Sequence, residues 1–516
     1  MKTDQIKAGA FLSYLSLFLN TLVSLLYTPY MLFQMGQSEY GLYSLAVTVV
    51  GYLAVLDFGF GSAVIRYTAK YKALHNKEKE FNLNGMFLVI YTLIGLVTAG
   101  IGALVYLNAD NMFAAHLTLE EIGKAKIIIL LLVLNLSVSF PLCIFSSIIS
   151  AYEEFIYANL INIVRILLGP CVLIPLLLMG YRAVGMAAAT TVINLCILMV
   201  NMWFCLTRLK IKFYFNHRDL KLFMEICAFS FYGFLNIIVD RITWSSGHFI
   251  LGVVSGTVAV AVYAIAIQVN NYYLAFSTAL SGLFLPKLTA MVTNGATDHD
   301  FSELFIKIGR IQYLIIAYIL GGFLCVGQDF IDAWAGPGYE EAYFIACLLM
   351  IPVTIPLVQN TGISILQAQN RQRFRSITYL ILAVVNIALS IPLGMLYGGI
   401  GCAVGTAAAL IFGSVLIMNI YYYKVIHLDI PRFWREIARM TMPAICALAI
   451  CFIFRGLGEE GAVLTILLNG CIYTAAYFPL MWFFGMNPYE RELVVLYGGK
   501  GKQLLIRLVM RRKCYD

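Results

Sequence analysis

DFGFGSAVIRYTAKYKALHNKEKE, residues Asp57 to Glu80, joins the end of one apolar run to the start of the next. Its first half places a carboxylate, Asp57, and the glycine pair Gly59 and Gly61 at the edge of an otherwise apolar run. A carboxylate at membrane depth is costly, so it marks a candidate functional site, and glycines there loosen a helix. The second half carries Arg66, Lys70, Lys72, Lys77 and Lys79, a cluster of the kind that stays on the cytoplasmic side of a bilayer. The plainer reading of the same stretch is a helix cap at the membrane exit followed by a positive loop.

The surrounding chain decides for a membrane. Of 516 residues 61% are hydrophobic and only 12% charged, with a mean hydropathy of +0.85. A soluble domain carries about 25% charged residues. The formal charge of +8 sits in short loops and near the C-terminus, where topology places it, and is no sign of nucleic-acid binding. The twelve cysteines form no C-x-x-C pair and no Cys/His cluster, so they read as small packing residues rather than metal ligands. The six histidines show no metal-ligand spacing, and Glu153 and Glu154 sit together at a turn, as solvated residues do. No enzyme signature and no cofactor motif is present, and the first apolar run is too long for a signal-peptide core.

Fourteen apolar runs are long enough for a hydrocarbon core of about 30 Å. They cover 8–33, 40–66, 83–107, 122–151, 155–179, 183–206, 222–252, 258–284, 304–326, 342–366, 375–397, 399–423, 440–455 and 461–485, so the expected fold is an all-α integral membrane protein. With the N-terminus inside, the outer segments hold only Arg182 and Arg455. Lys124, Lys126, Arg165 and Arg241 lie within spans, and the remaining Lys and Arg all fall inside. Both termini are therefore expected in the cytoplasm.

An internal repeat is visible. Val138-Ser-Phe-Pro-Leu142 returns as Val353-Thr-Ile-Pro-Leu357, and Tyr181-Arg-Ala-Val-Gly-Met-Ala-Ala-Ala-Thr190 as Tyr397-Gly-Gly-Ile-Gly-Cys-Ala-Val-Gly-Thr406. The unit is six spans, an even number, so both halves share one orientation. The expected organisation is a six-helix bundle over 1–206, a second over 207–439, two further helices over 440–485 and a basic tail over 486–516. A central site would lie between two such bundles.

Polar residues at helical spacing mark that site. The first span carries Ser13, Ser16, Asn20, Ser24 and Tyr27 on one face, and the seventh carries Tyr232, Asn236, Asp240 and Thr243. The eighth adds Gln268, Asn271, Thr278 and Ser281. Small hydroxyls at such positions also serve as glue between packed helices. Arg165 lies roughly 16 Å along the fifth span at 1.5 Å per residue, too deep for easy snorkelling. Arg165 and Arg241 each read either as one partner of a structural ion pair or as a guanidinium facing a cavity to hold phosphate, which suits its planar donor fork. Asp240 is adjacent to Arg241, and neighbours in sequence do not face each other on a helix. The candidate substrate-binding residues are Arg66, Arg165, Arg241, Asn20, Asn236, Asp240, Gln268 and Asn271, and the candidates for ion coupling are Asp57 and Asp240.

Asp57 to Tyr71, D-F-G-F-G-S-A-V-I-R-Y-T-A-K-Y, resembles the second-helix motif of Wzx-type polysaccharide (O-antigen) flippases of the multidrug/oligosaccharidyl-lipid/polysaccharide exporter superfamily. Gly36-Gln-Ser-Glu-Tyr-Gly-Leu-Tyr43 is similar to the preceding outer turn, and Phe249-Ile-Leu-Gly252 with Val260-Ala-Val-Tyr-Ala-Ile-Ala266 to the junction of the seventh and eighth helices. One departure stands out: where relatives often carry a carboxylate just before that F-I-L-G, this chain has Gly247 and His248.

The resemblance implies a MATE-like fold and transfer of an undecaprenyl-diphosphate-linked oligosaccharide between the leaflets of a bacterial inner membrane, without making or breaking a bond. The glycan would serve lipopolysaccharide, O-antigen or exopolysaccharide synthesis. Implied partners are the lipid-linked substrate, membrane lipids, and the polysaccharide polymerase and glycosyltransferases of the same route; no nucleic acid is involved. Two other readings keep part of these observations: a cation-coupled multidrug exporter of the same fold, whose cavity would be dominated by acids, and a non-transporting scaffold, whose membrane charges could be lost without effect.

Overall fold

The computed structural model describes residues 2–113, 116–215, 220–281, 288, 291–292, 295–369, 371–454 and 462–495. Every regular element among them is helical. The chain runs α1 (Lys2–Leu53), a 3-10 turn (Ala54–Asp57), α2 (Phe60–Ala73), α3 (Lys77–Phe113), α4 (Leu119–Ala151), α5 (Phe155–Leu178), α6 (Arg182–Thr207), α7 (Leu220–Val254) and α8 (Thr257–Ser281). It continues with α9 (Asp298–Ala335), α10 (Glu341–Val358), α11 (Asn360–Ala368), α12 (Gln372–Leu410), a π-helical turn (Ile411–Ile417), α13 (Met418–Lys424), α14 (Ile430–Phe454) and α15 (Ala462–Leu480).

Twelve helical stretches among the described residues are long and apolar enough to cross a membrane. Two of these, Leu12–Ala73 and Gln372–Lys424, are long enough to cross twice, and each is broken by a glycine that no L side chain would replace comfortably. Gly36 has φ 75° and ψ 167°, and Gly398 has φ 57° and ψ −134°. Counting those two breaks as turns gives fourteen crossings, as the hydropathy pattern leads one to expect. The first break also carries the repeat. Gly256, with φ 82°, stands 220 residues after Gly36.

Proximity in space divides the protein into two compact units. One comprises Met1–Val269, Ala335–Leu348 and Arg373–Ala409, and the other Asn270–Trp334, Leu349–Gln372 and Leu410–Asp516. In the first unit an aromatic core built from Phe60, Phe87, Tyr91 and Phe140 joins α2, α3 and α4. Small residues let the helices approach where packing rather than water exclusion must hold them. A methyl group on Gly95 would stand 2.5 Å from the Ser137 carbonyl oxygen of α4.

In the second unit α15 lays Tyr473 and Tyr477 on α9. Their hydroxyls donate to the carbonyls of Ala317 (3.3 Å) and Leu314 (2.8 Å). A methyl on Gly321 would lie 2.2 Å from the Tyr473 hydroxyl, so the glycine makes the seat for that ring. Earlier on α9, the buried Arg310 grips Glu490 with two parallel bonds of 2.6 and 2.9 Å. It also donates to Glu436 of α14 at 2.7 Å and to the Gly485 carbonyl at 2.9 Å. The proposed basic tail beyond Val495 lies outside the described residues, as does Arg455.

Candidate functional site

The motif at Asp57 is a helix break. Phe58 (φ 50°) and Gly59 (φ 71°) are both left-handed, so the chain leaves the 3-10 turn and starts α2 in a new direction. The Asp57 carboxylate faces the backbone N–H groups of Gly59 and Gly61, where a helix N-terminus favours negative charge, with the Tyr91 side chain beside it. Its left-handed φ suits glycine at 59, and the space around it is close-packed. A methyl there would come within 3.4 Å of the Phe234 amide and the Ser230 carbonyl of α7, and the Phe58 ring packs against Phe234 at 4.8 Å. Asp57 thus sits beside the N-terminus of α2, at a crossing of α2 and α7. Arg66 lies one to two turns on, exposed on α2, with its guanidinium 5.9 Å from the Tyr67 ring centroid.

Arg165 occupies the middle of the 24-residue α5 and is exposed. Its Nη2 donates to Asn194 Oδ1 of α6 at 3.2 Å. The Asn194 amide nitrogen in turn donates to Asn135 Oδ1 (2.8 Å) and Ser139 Oγ (2.9 Å) on α4. Three helices therefore converge on one guanidinium through neutral partners. No carboxylate pairs with Arg165 within salt-bridge distance among the described residues. The structural ion pair weighed from the sequence is not what holds it. An exposed guanidinium at this depth cannot face hydrocarbon cheaply, so its open side requires water or an anion.

Asn236, Asp240 and Arg241 share α7. Asn236 Oδ1 accepts from Ser376 Oγ of α12 at 3.5 Å. Asp240 and Arg241 are exposed, and Asp240 lies within electrostatic reach of Arg375 of α12 and of Arg241. Arg241 reaches towards the second half of α1, where a methyl on Gly51 would be 3.5 Å from its Nη1. Arg375 lies 5.0 Å from the Tyr379 ring, and its Nε is buried with no partner. Two guanidiniums share the electrostatic neighbourhood of one carboxylate, which leaves a net positive group.

Gln268 of α8 donates to Thr28 Oγ1 (2.9 Å) and Ser24 Oγ (3.3 Å) of α1. At the other end of the same stripe Ser13 donates to Asn159 of α5 at 3.0 Å. Ser13 and Ser24 of the first span's stripe thus join helices, while the buried hydroxyls of Ser16 and Tyr27 have no hydrogen-bond partner among the described residues and Asn20 is exposed. Asn271 belongs to the second unit, apart from the other seven substrate-binding candidates and Asp57. The sequence reading passed over Arg375, which it counted as a topological charge, and the Asn135, Ser139 and Asn194 cluster. The signals were there: Asn135 with Ser139, and Arg375 with Tyr379, are each four residues apart on one helix face.

Comparison with known proteins places this arrangement. A Shigella flexneri protein described as "Putative O-antigen transporter" is 22% identical over 397 residues, covering 75% of this chain and 90% of its own. Among solved structures, an inward-closed lipid II flippase MurJ superposes with a TM-score of 0.72 at 17% identity, covering 94% of this chain and 99% of that one. An inward-facing MATE-family multidrug resistance transporter of the MOP superfamily gives 0.59 at 13% identity, covering 83% and 99%. Both show the fold. The family described as polysaccharide biosynthesis protein matches residues 6–290, more than half of the chain, and agrees with the flippase resemblance of the DFGFGS motif. This multi-pass membrane chain belongs to the polysaccharide biosynthesis protein family.

Proposed function

We propose that the protein flips an undecaprenyl-diphosphate-linked oligosaccharide from the inner to the outer leaflet of a bacterial plasma membrane. The single observation that carries this reading is Arg165, an exposed guanidinium in mid-helix that donates to the neutral Asn194 amide and pairs with no carboxylate among the described residues. Such a group keeps its full charge and its donor fork for a phosphate. Arg241 and Arg375 flanking Asp240 add a second net positive locus in the same unit. A cavity for drug cations would instead need its acids in excess. Both termini and the Lys70–Lys79 segment are cytoplasmic in this reading. The two six-helix halves, 1–206 and 207–439, rock about the site, and Asp57 and Asp240 are the groups available for ion coupling.

The test is glycan export together with membrane abundance. Arg165→Ala should nearly abolish surface glycan at normal protein level. The loss of charged hydrogen bonding, about 1.5–3 kcal/mol, corresponds to roughly a tenfold to hundredfold drop. Arg165→Lys keeps the charge without the fork and should be partly active. Normal export by the alanine variant would remove Arg165 from the site. Export that survives loss of all three arginines would favour a scaffold.

A further inference from the structure

The end of the first unit that carries Gly36, Glu121 and Gly256 is fastened by one carboxylate used twice. Thr118-Leu-Glu-Glu121 is a capping box: Glu121 Oε2 accepts from the Thr118 amide (2.9 Å) and hydroxyl (3.0 Å), while the Glu121 amide donates back to Thr118 Oγ1 (3.3 Å). That leaves Oε1 free to act elsewhere. It accepts from Ser38 Oγ at 2.5 Å, just beyond the Gly36 break, and from Thr257 Oγ1 at 3.0 Å, the first residue of α8. The Ser38 and Thr257 hydroxyls are themselves 3.3 Å apart. Three segments distant in sequence, one from the second half of the repeat, meet on one oxygen.

Neighbouring contacts close the same end. Gln37 Nε2 donates to the Gly338 carbonyl at 2.6 Å. Glu39 takes Lys124 at 2.6 Å, and Lys124 also holds Glu120 at 2.8 Å. The backbones beneath are nearly touching. A methyl on Gly41 would fall 1.8 Å from the Thr257 carbonyl oxygen, and one on Gly252 2.3 Å from Leu45. Glycines at both crossings allow closure, and the fastening is made of hydroxyls on a charged acceptor. It is strong enough to hold, yet every group could be taken over by water when it opens.

We infer that Glu121, Ser38 and Thr257 form a latch that must open once in each transport cycle, so that Glu121 is a working residue of transport and not only a helix cap. The inference rests on the transport reading above. With both termini in the cytoplasm, the turn at Thr118–Glu121 lies outside, so the latch seals the outer side, and its opening is the step that releases substrate there.

The test uses full-length, cysteine-depleted protein with Ser38→Cys and Thr257→Cys introduced together, and a third cysteine replacing Gln268. That third position is eleven residues along α8 from Thr257, roughly 16 Å deeper at 1.5 Å per residue. Two readouts are taken, glycan export and labelling of the third cysteine by an impermeant maleimide applied from the outer side. Because the Gln268 substitution alters a candidate site residue, export is measured on the two-cysteine protein. Oxidation should form the 38–257 bridge, cut export and labelling at least tenfold, and be reversed by reductant.

Thr257→Val, which spares the capping box, should instead raise labelling severalfold at unchanged abundance. Gly41→Leu, which drives a side chain into the Thr257 carbonyl, should do the same. Bridged protein that exports and labels at the reduced rate would overturn the latch, as would failure of the two cysteines to bridge. Labelling that follows the bridge while no lipid-linked glycan is moved would keep the latch and overturn the substrate.

Discussion

Asn194 shows how much a single neutral side chain can control. Its amide nitrogen is committed to Asn135 and Ser139, so its oxygen is the atom turned to Arg165. Asn194→Asp changes almost no volume but sets a carboxylate 3.2 Å from the guanidinium. An internal ion pair then competes with any phosphate. Export should fall nearly as far as in Arg165→Ala with protein level unchanged, whereas Asn194→Ala should keep partial activity with a raised apparent KM. Equal effects of the aspartate and alanine substitutions in a vesicle transport assay would show that Arg165 is not used as a free cation. The same chemistry distinguishes Asp57, whose carboxylate already has the N-terminus of α2 to balance it.

At the scale of elements, α9, α14 and the short helix over 488–495 are bound by the buried pair Arg310 and Glu490, each 3% exposed. Losing Glu490 leaves the buried Arg310 with only part of its partners, Glu436 and the Gly485 carbonyl, at a cost of up to about 3–5 kcal/mol. Glu490→Ala should therefore lower the amount and thermal stability of membrane-inserted protein. Arg310→Met with Glu490→Leu should recover much of that loss, because both fully buried charges are gone and Glu436, which is partly exposed, keeps Arg439. Detergent-solubilised melting curves on the three variants measure this, and a double variant no more stable than the single ones would contradict it. The clamp also places a limit on truncation. Removal of the chain after Tyr497 leaves Glu490 in place and should retain substantial transport. Removal from Asn487 onward should cost the protein its stability, since Asn487 and Glu490 cap one another at 2.9 Å.

For the whole molecule, the prediction concerns sidedness. Single cysteines replacing Lys77 and Pro337 in a cysteine-depleted background report the two faces to an impermeant thiol reagent. Pro337 serves better than its neighbours because Gly336 and Gly338 have φ of 89° and 88°, where a cysteine would be strained. In intact cells the cysteine at 337 should label and the one at 77 should not. The opposite pattern would invert the topology and with it the side on which the Glu121 latch opens.

The membrane class, the number of crossings and the presence of a repeat are legible in the sequence because each is a local or periodic property. Twenty apolar residues span a bilayer whatever their neighbours, and a duplicated turn repeats its glycine, as at Gly36 and Gly256. The arginines could be read as deep for the same reason, since depth follows from counting along a helix. Partners could not be read that way. Which residue meets Arg165, why Arg375 faces Asp240, and how Glu121 comes to serve both its own helix and Thr257 depend on the rotation and crossing of helices far apart in the chain. In a bilayer those are settled by close packing of small residues and by the need to satisfy each buried polar atom, conditions that only the assembled helices impose.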